Sequence, residues 1–261
     1  MPDYPITEEQ VEFYEANGFV RLENVLTRDE VEELRSALHY AVEDQKKKAT
    51  VPSGSEDKEY RKVFLQMVNL WEHYPEIKKY VFNQRVAESA RQLSRSTYVR
   101  LWHDHALIKE PEDSKPTAWH QDLPYWPMRE TTALSCWMAL GDVTVDNGCM
   151  HFIPGSHKFG RLDAIDLINP QDLFKLVPDA KGQKFESVPV PLKAGSCTFH
   201  NGLTFHYAGP NKTDKPRRAM VTIYMPAGIT YTRVPHIVGD RANLKEGDEF
   251  DHELFPILAR A

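Results

Sequence analysis

The predicted fold follows from the stretch Tyr98-Val99-Arg100-Leu101-Trp102-His103-Asp104-His105-Ala106-Leu107-Ile108, where the chain changes from helical to β patterning. Aromatic and β-branched side chains are frequent in it, and such side chains favour strands. After it, apolar segments separated by Gly, Pro, Asn and Asp predict further strands at 131–140, 148–153, 187–192, 196–200, 203–208 and 217–225. Many short strands without alternating helices favour a sandwich or barrel, and a jelly roll fits their number.

The residues before this stretch carry helix signals instead. Capping boxes are present at Thr7-Glu8-Glu9-Gln10 and Thr27-Arg28-Asp29-Glu30, and Gly18 stands where a helix C-cap is expected. The other elements predicted here are an exposed loop at 45–58 and two shorter helices at about 74–82 and 84–94.

The predicted fold class is therefore mainly β with flanking helices (α+β): a double-stranded β-helix (jelly-roll or cupin-like) core with N-terminal helices packed on it. We expect a single domain over 1–261, with 1–95 as mainly helical support, 96–226 as the jelly-roll core and 227–261 as a C-terminal extension. An insertion at about 158–186 is long enough to lie over the barrel mouth as a lid.

Composition limits the partners of the chain. Its 261 residues carry a net charge of −6 with a pI of about 6.0, which argues against a general nucleic-acid surface. No apolar run reaches the roughly 18 residues of a membrane span, and neither end of the chain carries a signal-peptide or peroxisomal pattern. Three cysteines without a C-x-x-C pair favour a reducing compartment and small buried side chains. We expect a cytoplasmic protein with a small-molecule substrate and no nucleic-acid or membrane partner.

The strongest chemical signal lies in Thr117-Ala118-Trp119-His120-Gln121-Asp122. On an extended backbone, residues two apart face the same side, so His120 and Asp122 can converge on one metal ion. A second histidine would complete a two-histidine, one-carboxylate site with open positions, which suits Fe(II), whereas a closed structural zinc site takes four ligands. His200 and His206 both lie in apolar company, and the residues alone leave both open as the third ligand.

Two arginines follow the turn-like segment 211–216. A hairpin centred on that turn would set Arg217 near His206 on neighbouring strands. An arginine fork that meets a carboxylate is the usual anchor for a dicarboxylate cosubstrate. Strand alternation lets only one of Arg217 and Arg218 point inward, and two solvated arginines on an edge strand are the alternative.

Five motifs in order resemble the phytanoyl-CoA dioxygenase-like family of Fe(II)/2-oxoglutarate oxygenases. They are His103-Asp104-His105-Ala106-Leu107-Ile108-Lys109-Glu110-Pro111, Trp119-His120-Gln121-Asp122 with Tyr125-Trp126, Trp137-Met138-Ala139-Leu140, Asp146-Asn147-Gly148-Cys149 with Ile153-Pro154-Gly155-Ser156-His157, and His206 through Pro210-Asn211 to Arg217-Arg218-Ala219. The opening helices, from Glu8 through Asn17-Gly18-Phe19 to Leu34, are also similar to those of the family. The resemblance covers nearly the whole chain.

The resemblance implies that His120, Asp122 and His206 are the catalytic iron ligands. It selects His206 over His200 because the distal histidine of the family precedes a Gly-Pro-Asn-like turn. It also implies Arg217 as the cation for the far carboxylate of 2-oxoglutarate, with Trp137 beside the cosubstrate.

Position 208 departs from the pattern of the family. Relatives often carry a small hydroxyl residue there that contacts the cosubstrate, but this chain has Ala208. Thr204 or Thr222 is therefore expected to supply the missing hydroxyl. His103 and His105 belong to a strand that lines the pocket in relatives, which usually have Gln at position 105.

The implied activity is that of a dioxygenase that uses Fe(II), 2-oxoglutarate and O2 and hydroxylates a small-molecule C–H bond, with release of succinate and CO2. Halogenating relatives carry a small residue in place of Asp122, so the aspartate favours hydroxylation. The expected substrate contacts are His103, His105, Tyr125, Trp126 and the 158–186 insertion. Two alternatives are a non-oxidative metal-dependent cupin-type enzyme, which would not need Arg217, and a vestigial ligand-binding jelly roll.

Overall fold

The computed structural model describes residues 4–48, 65–111, 114–167, 172–177 and 185–261. The α-helices in these ranges are α1 (Glu8–Asn17), α2 (Arg28–Lys48), α3 (Pro75–Val81) and α4 (Gln84–Leu93). The β-strands in these ranges are β1 (Phe19–Leu22), β2 (Leu65–Val68), β3 (Tyr98–Lys109), β4 (Thr117–His120), β5 (Leu134–Ala139), β6 (Met150–Phe152), β7 (Val188–Val190), β8 (Cys197–Asn201), β9 (His206–Ala208), β10 (Arg217–Pro226) and β11 (Ile257–Arg260).

The strands form two sheets that share one core. The larger sheet has the order β1-β8-β5-β10-β3-β11, with β2 also paired to β3, and the smaller sheet has the order β4-β9-β6-β7. Neighbouring strands are antiparallel in both sheets. Strands that are distant in sequence lie side by side, which is the arrangement of the predicted jelly roll.

The larger sheet separates two apolar clusters. On β10, Met220 and Tyr224 face the cluster that also contains side chains of all four helices. Ala219, Val221 and Ile223 alternate with them and face the barrel interior, where side chains of the smaller sheet also pack. The helices therefore cover the outer face of the larger sheet, as the sequence predicts, and its inner face is left for the site.

An irregularity in the larger sheet turns two consecutive side chains of β3 toward the barrel interior. The register between β10 and β3 shifts between Thr222 and Tyr224, opposite Trp102 and His103. Trp102 packs in the interior cluster and the adjacent His103 lines the central cavity, so two consecutive side chains face inward. A β-bulge has this effect on side-chain direction.

The predicted strands are all present within a few residues. The Thr7 capping box is formed, and Gly18 ends α1 with a φ of 80°. All three cysteines are buried and free. Among the described helices, none combines the length and the apolar composition that crossing a membrane requires. The division of the chain into one domain with three sections stays a prediction.

One expectation about the elements was partly wrong, and two sections contain strands that were not predicted. The N-terminal section is not only helical, because β1 and β2 lie in it and join the larger sheet. The expected loop at 45–58 begins too early, because α2 continues to Lys48, and residues 49–58 lie outside the described part of the chain. The C-terminal extension contributes β11 to the larger sheet.

Candidate metal centre and active site

Two histidines meet across a strand pair of the smaller sheet. His120 ends β4 and His206 begins β9, and the two residues are directly opposite each other in the antiparallel register. Their ring centroids lie 4.1 Å apart. Because β4 and β9 are fixed by the sheet, the position of both imidazoles follows from the fold.

The carboxylate of Asp122 completes the cluster by a different route from the predicted one. Asp122 lies past the end of β4, with φ −79° and ψ −43° at the start of a short 3-10 turn, so its backbone is not extended. Its Oδ1 is 3.6 Å from His120 Nε2 and 3.5 Å from His206 Nε2. One ligand atom from each of the three residues lies within 4.8 Å of the others. The convergence therefore comes from a turn rather than from strand alternation.

The hydrogen bonds of the two imidazoles prepare them for a cation. His120 Nδ1 is 2.7 Å from the carbonyl oxygen of Ala118, and His206 Nδ1 is 2.9 Å from that of Thr204. A carbonyl only accepts, so each Nδ1 carries a proton and each Nε2 of the neutral ring presents a lone pair. Two nitrogen lone pairs and one carboxylate oxygen thus face a common point, and this donor set fits Fe(II).

The pKa values agree with this arrangement. Burial, followed by the proximity of His206, lowers the pKa of His120. Burial alone would raise the pKa of Asp122, but His206, His120 and His200 outweigh it and hold that pKa well below its usual range. The centre therefore keeps a charged carboxylate at neutral pH.

Thr204 does not fill its expected role beside a cosubstrate. Its hydroxyl donates to the carbonyl oxygen of Gly18 at 2.7 Å, and its own carbonyl accepts the bond from His206. A Cβ on residue 18 would lie 2.5 Å from the Thr204 hydroxyl oxygen, so Gly18 is required both by this contact and by its positive φ. Thr204 therefore connects the end of α1 to His206, and its assignment as a cosubstrate donor was wrong.

Arg217 is a buried cation in the same cavity. Its side chain is 4% exposed, its guanidinium lies 5.1 Å from the centre of the Trp137 ring, and its Nη1 donates to the Leu107 carbonyl at 3.5 Å. Burial lowers the pKa of Arg217 to about 10, which still leaves it charged at pH 7. Its Nε has no hydrogen-bond partner, and no acidic side chain among the described residues forms an ion pair with it. A buried charge without a counter-ion is costly, so the cavity suits an anionic ligand.

The predicted hairpin between His206 and Arg217 is not present. β9 belongs to the smaller sheet and β10 to the larger one, so residues 209–216 cross between sheets. Arg217 and His206 nevertheless line the same cavity, together with Trp137. As alternation predicts, only one arginine of the pair points inward, and it is Arg217.

A hydroxyl that the sequence analysis did not single out lies opposite position 208. Thr117 and Ala208 are directly opposite each other in the register of β4 and β9, and both line the cavity with Arg217. Thr222 lies on the other face of the larger sheet, beside Leu34, so its assignment as this donor was also wrong. The signal for Thr117 was its place three residues before His120, but β4 was not among the predicted strands.

The other end of the cavity is lined by aromatic and imidazole side chains. His103, His105, Tyr125 and Trp126 all line it, as does His236, which was not predicted. His103 Nδ1 lies 3.5 Å from His105 Nδ1, and the His103 and His236 rings stack at 5.6 Å. Of the described part of the 158–186 insertion, Leu167 lines the cavity, and Ile165 accepts a 2.6 Å hydrogen bond from the Tyr125 hydroxyl.

These histidines predict that the fold is sensitive to acid. Burial lowers the pKa of folded His105 from 6.5 to about 4. Between those values the unfolded chain binds more protons, so the free energy of unfolding decreases as the pH drops through this range. Urea unfolding of the metal-free protein at pH 7 and at pH 5 measures the loss of stability. His105→Gln should lose less than the unaltered protein, and equal losses would contradict a buried neutral imidazole at this position.

A facial site of this kind inside a jelly roll places the protein in the class of non-haem iron oxygenases. A family model for phytanoyl-CoA dioxygenase (PhyH) matches residues 14–219. The chain belongs to this family, and it is an Fe(II)- and 2-oxoglutarate-dependent dioxygenase. The sequence predictions of the family, the jelly-roll fold and the cofactors Fe(II), 2-oxoglutarate and O2 are confirmed.

Relatives with different substrates share similar levels of identity with the chain. Human peroxisomal phytanoyl-CoA dioxygenase is 26% identical over 252 residues, which is 88% of this chain and 71% of that protein. Ectoine dioxygenase of Bordetella bronchiseptica is 28% identical over 245 residues, 84% of this chain and 75% of that protein.

Two solved structures cover almost the whole chain. The α-ketoglutarate-dependent carbocyclase SnoK from nogalamycin biosynthesis has a TM-score of 0.82 and 32% identity, with 97% of both chains covered. The epimerase SnoN in complex with Fe³⁺, α-ketoglutarate and nogalamycin RO has a TM-score of 0.77 and 31% identity, with 97% of this chain and 98% of that chain covered.

Proposed function

We propose that His120, Asp122 and His206 hold Fe(II), and that Arg217 binds the far carboxylate of 2-oxoglutarate with Trp137 beside it. The observation that carries this proposal is the presence of three converging ligand atoms and an unpaired buried arginine in one cavity. When bound, the iron and 2-oxoglutarate supply the oxidising chemistry, in which O2 is consumed and succinate and CO2 are released. The protein orients the reactants and keeps water away from them.

The proposal is tested by anaerobic titration of the protein with Fe(II) and 2-oxoglutarate. Chelation of ferrous iron by 2-oxoglutarate gives a weak visible charge-transfer band, which we expect to appear only when both are present. A non-oxidative metal-dependent cupin and a vestigial ligand-binding jelly roll would give no such band. The absence of the band in the unaltered protein would therefore contradict the proposed function.

We further propose that the substrate is a neutral, ring-bearing small molecule. Apart from histidines, the only charged side chains among the described cavity-lining residues are Asp122 and Arg217, and both are assigned to the iron and the cosubstrate. Burial lowers the pKa of His236 to about 4 and that of His103 well below 6.5, so the substrate end is uncharged at pH 7. Among the described residues, such a surface gives no charged partner to the phosphates of an acyl-CoA or to the charges of ectoine. Tyr125 and Trp126 suit a ring by stacking.

The SnoN structure contains nogalamycin RO, which supports a small-molecule substrate. We propose hydroxylation of a substrate C–H bond as the reaction, with ring closure or epimerisation as the alternatives that the SnoK and SnoN names suggest. Succinate release should be measured with neutral hydroxylated polycyclic compounds, an acyl-CoA and ectoine in parallel. We expect release above background with the polycyclic compounds alone, and coupled turnover of the acyl-CoA would overturn this substrate class.

Thr117 is proposed as the hydroxyl that accompanies Arg217 at the cosubstrate carboxylate. A hydrogen bond to a charged group contributes about 1.5–3 kcal/mol, so Thr117→Val should weaken 2-oxoglutarate binding by roughly 10-fold or more. Thr117→Ser should retain the affinity of the unaltered protein. Because Ala208 lies opposite, Ala208→Ser in the Thr117→Val background should restore binding. Isothermal titration with 2-oxoglutarate measures all four proteins, and full affinity in Thr117→Val would contradict the assignment.

We retain the cytoplasm as the proposed location, with no nucleic-acid or membrane partner. The free state of the three buried cysteines supports a reducing compartment. Fractionation of cells that produce the tagged protein tests the proposal, and recovery in membranes or an oxidising compartment would contradict it.

A further inference from the structure

A third imidazole lies beside the candidate metal centre without belonging to it. His200 on β8 is 2% exposed, and its Nε2 is 3.2 Å from Oδ2 of Asp122. The other carboxylate oxygen, Oδ1, is the one that faces His120 and His206. The two oxygens of Asp122 therefore have different neighbours, with Oδ1 in the ligand cluster and Oδ2 against His200.

A second donor reaches the same oxygen. The hydroxyl of Ser135 on β5 donates to Asp122 Oδ2 at 3.0 Å, and Ser135 is 1% exposed. Ser135 and His200 are directly opposite each other in the antiparallel register of β5 and β8. Two adjacent strands of the larger sheet thus present one donor each to Oδ2 of Asp122. We call Oδ2 the outer oxygen of this carboxylate.

The protonation of His200 keeps it out of the ligand set. A charged carboxylate only accepts hydrogen bonds, so the Nε2 that faces Oδ2 must carry a proton. A protonated nitrogen has no lone pair for a metal. The other ring nitrogen, Nδ1, is buried and has no hydrogen-bond partner among the described residues. Burying an unpaired polar atom is unfavourable, so the position of this ring is better explained by its contact with Asp122 than by packing.

We propose that Ser135 and His200 are positioning residues that hold the outer oxygen of Asp122, so that the carboxylate binds iron through Oδ1 alone. This inference rests on the proposed function. A carboxylate that used both oxygens would occupy two coordination positions instead of one. Iron with two histidines and a one-oxygen aspartate keeps three positions open, which 2-oxoglutarate and O2 require together. The two hydrogen bonds thereby keep Oδ2 from occupying a coordination position that 2-oxoglutarate or O2 needs.

The test uses paired variants of each donor. Ser135→Ala and His200→Leu remove the hydrogen bonds, whereas Ser135→Thr and His200→Gln keep a hydroxyl or an N–H group near Oδ2. Thr198→Val is the matched control, because Thr198 is a buried residue of β8, like His200, and its hydroxyl has no hydrogen-bond partner in the described part of the chain. The readouts are the Fe(II) dissociation constant and the position of the Fe(II)–2-oxoglutarate absorption band under anaerobic conditions, with the thermal midpoint of each metal-free protein as a folding check.

We expect Ser135→Ala and His200→Leu to weaken Fe(II) binding by roughly 10–100-fold and to shift the absorption band. The two conservative variants and Thr198→Val should match the unaltered protein. Unchanged affinity and an unchanged band in both Ser135→Ala and His200→Leu would overturn the inference. Loss of the metal in His200→Gln, with no effect of Ser135→Ala, would also overturn it, because His200 would then be a ligand. If His200→Leu fails to fold, the comparison of Ser135→Ala with Ser135→Thr still tests the inference.

These outcomes separate the inference from the function on which it rests. A band that is present in the unaltered protein but insensitive to the variants contradicts only the positioning role. A band that is absent from the unaltered protein contradicts the proposed function itself.

Discussion

His206→Ala is expected to abolish dioxygenase activity and to weaken Fe(II) binding by more than about 100-fold. The Nε2 of His206 is one of three converging ligand atoms, and its Nδ1 is already fixed by the Thr204 carbonyl. Structural zinc sites bind with about 10–16 kcal/mol over four ligands, which is on the order of 3 kcal/mol for each ligand. A loss of that size corresponds to more than about 100-fold in the dissociation constant. Anaerobic titration calorimetry with Fe(II) and succinate release measure the two effects.

His151→Ala provides the matched control for this prediction. His151 lies on β6, directly opposite Tyr207, which is the residue after His206 on β9. The ring of His151 packs against the ring of that tyrosine. It does not line the cavity, so its variant should bind iron like the unaltered protein. Retained iron affinity in His206→Ala would show that His206 is not an iron ligand. His200 would then be the candidate for the third ligand.

Sequence patterning predicted the strands that lie within longer apolar segments, because composition is local information. Four strands of four residues each, β1, β2, β4 and β11, escaped prediction. Their length alone does not explain this, because β6, β7 and β9 have three residues each and lie within predicted segments. The pairing partners of the four missed strands are distant in sequence, as in the pairing of β1 with β8. Such strands are stabilised by the sheet that they join, so no pattern within the segment itself marks them.

The candidate site was likewise predictable in part from the sequence. The motifs predicted which residues meet, but two of the geometric reasons were wrong, since Asp122 is in a turn and His206 and Arg217 are in different sheets. Thr117 and Ser135 were missed because their contacts depend on pairing between strands and between sheets. Side-chain chemistry is local in sequence, whereas the neighbours of a side chain are set by long-range pairing.

Arg217→Met is expected to weaken 2-oxoglutarate binding by more than about 100-fold and to leave Fe(II) binding without cosubstrate unchanged. The guanidinium is buried over Trp137 with no acidic partner among the residues that the structure describes, so an incoming carboxylate would form a desolvated ion pair with it. Removing one partner of a buried ion pair costs about 3–5 kcal/mol, which exceeds 100-fold in affinity. Methionine preserves much of the side-chain volume, which limits the cavity that the substitution creates.

The stability of the metal-free protein separates this prediction from simple misfolding. The unpaired buried charge of Arg217 costs free energy in the absence of ligand, so Arg217→Met should unfold at the same temperature as the unaltered protein or above it. Arg218→Met is the matched control, because the neighbouring side chain alternates to the other face of β10 and lines no part of the cavity. Stabilisation by added 2-oxoglutarate should disappear in Arg217→Met and persist in Arg218→Met. Equal stabilisation of both variants would mean that another group binds the cosubstrate carboxylate.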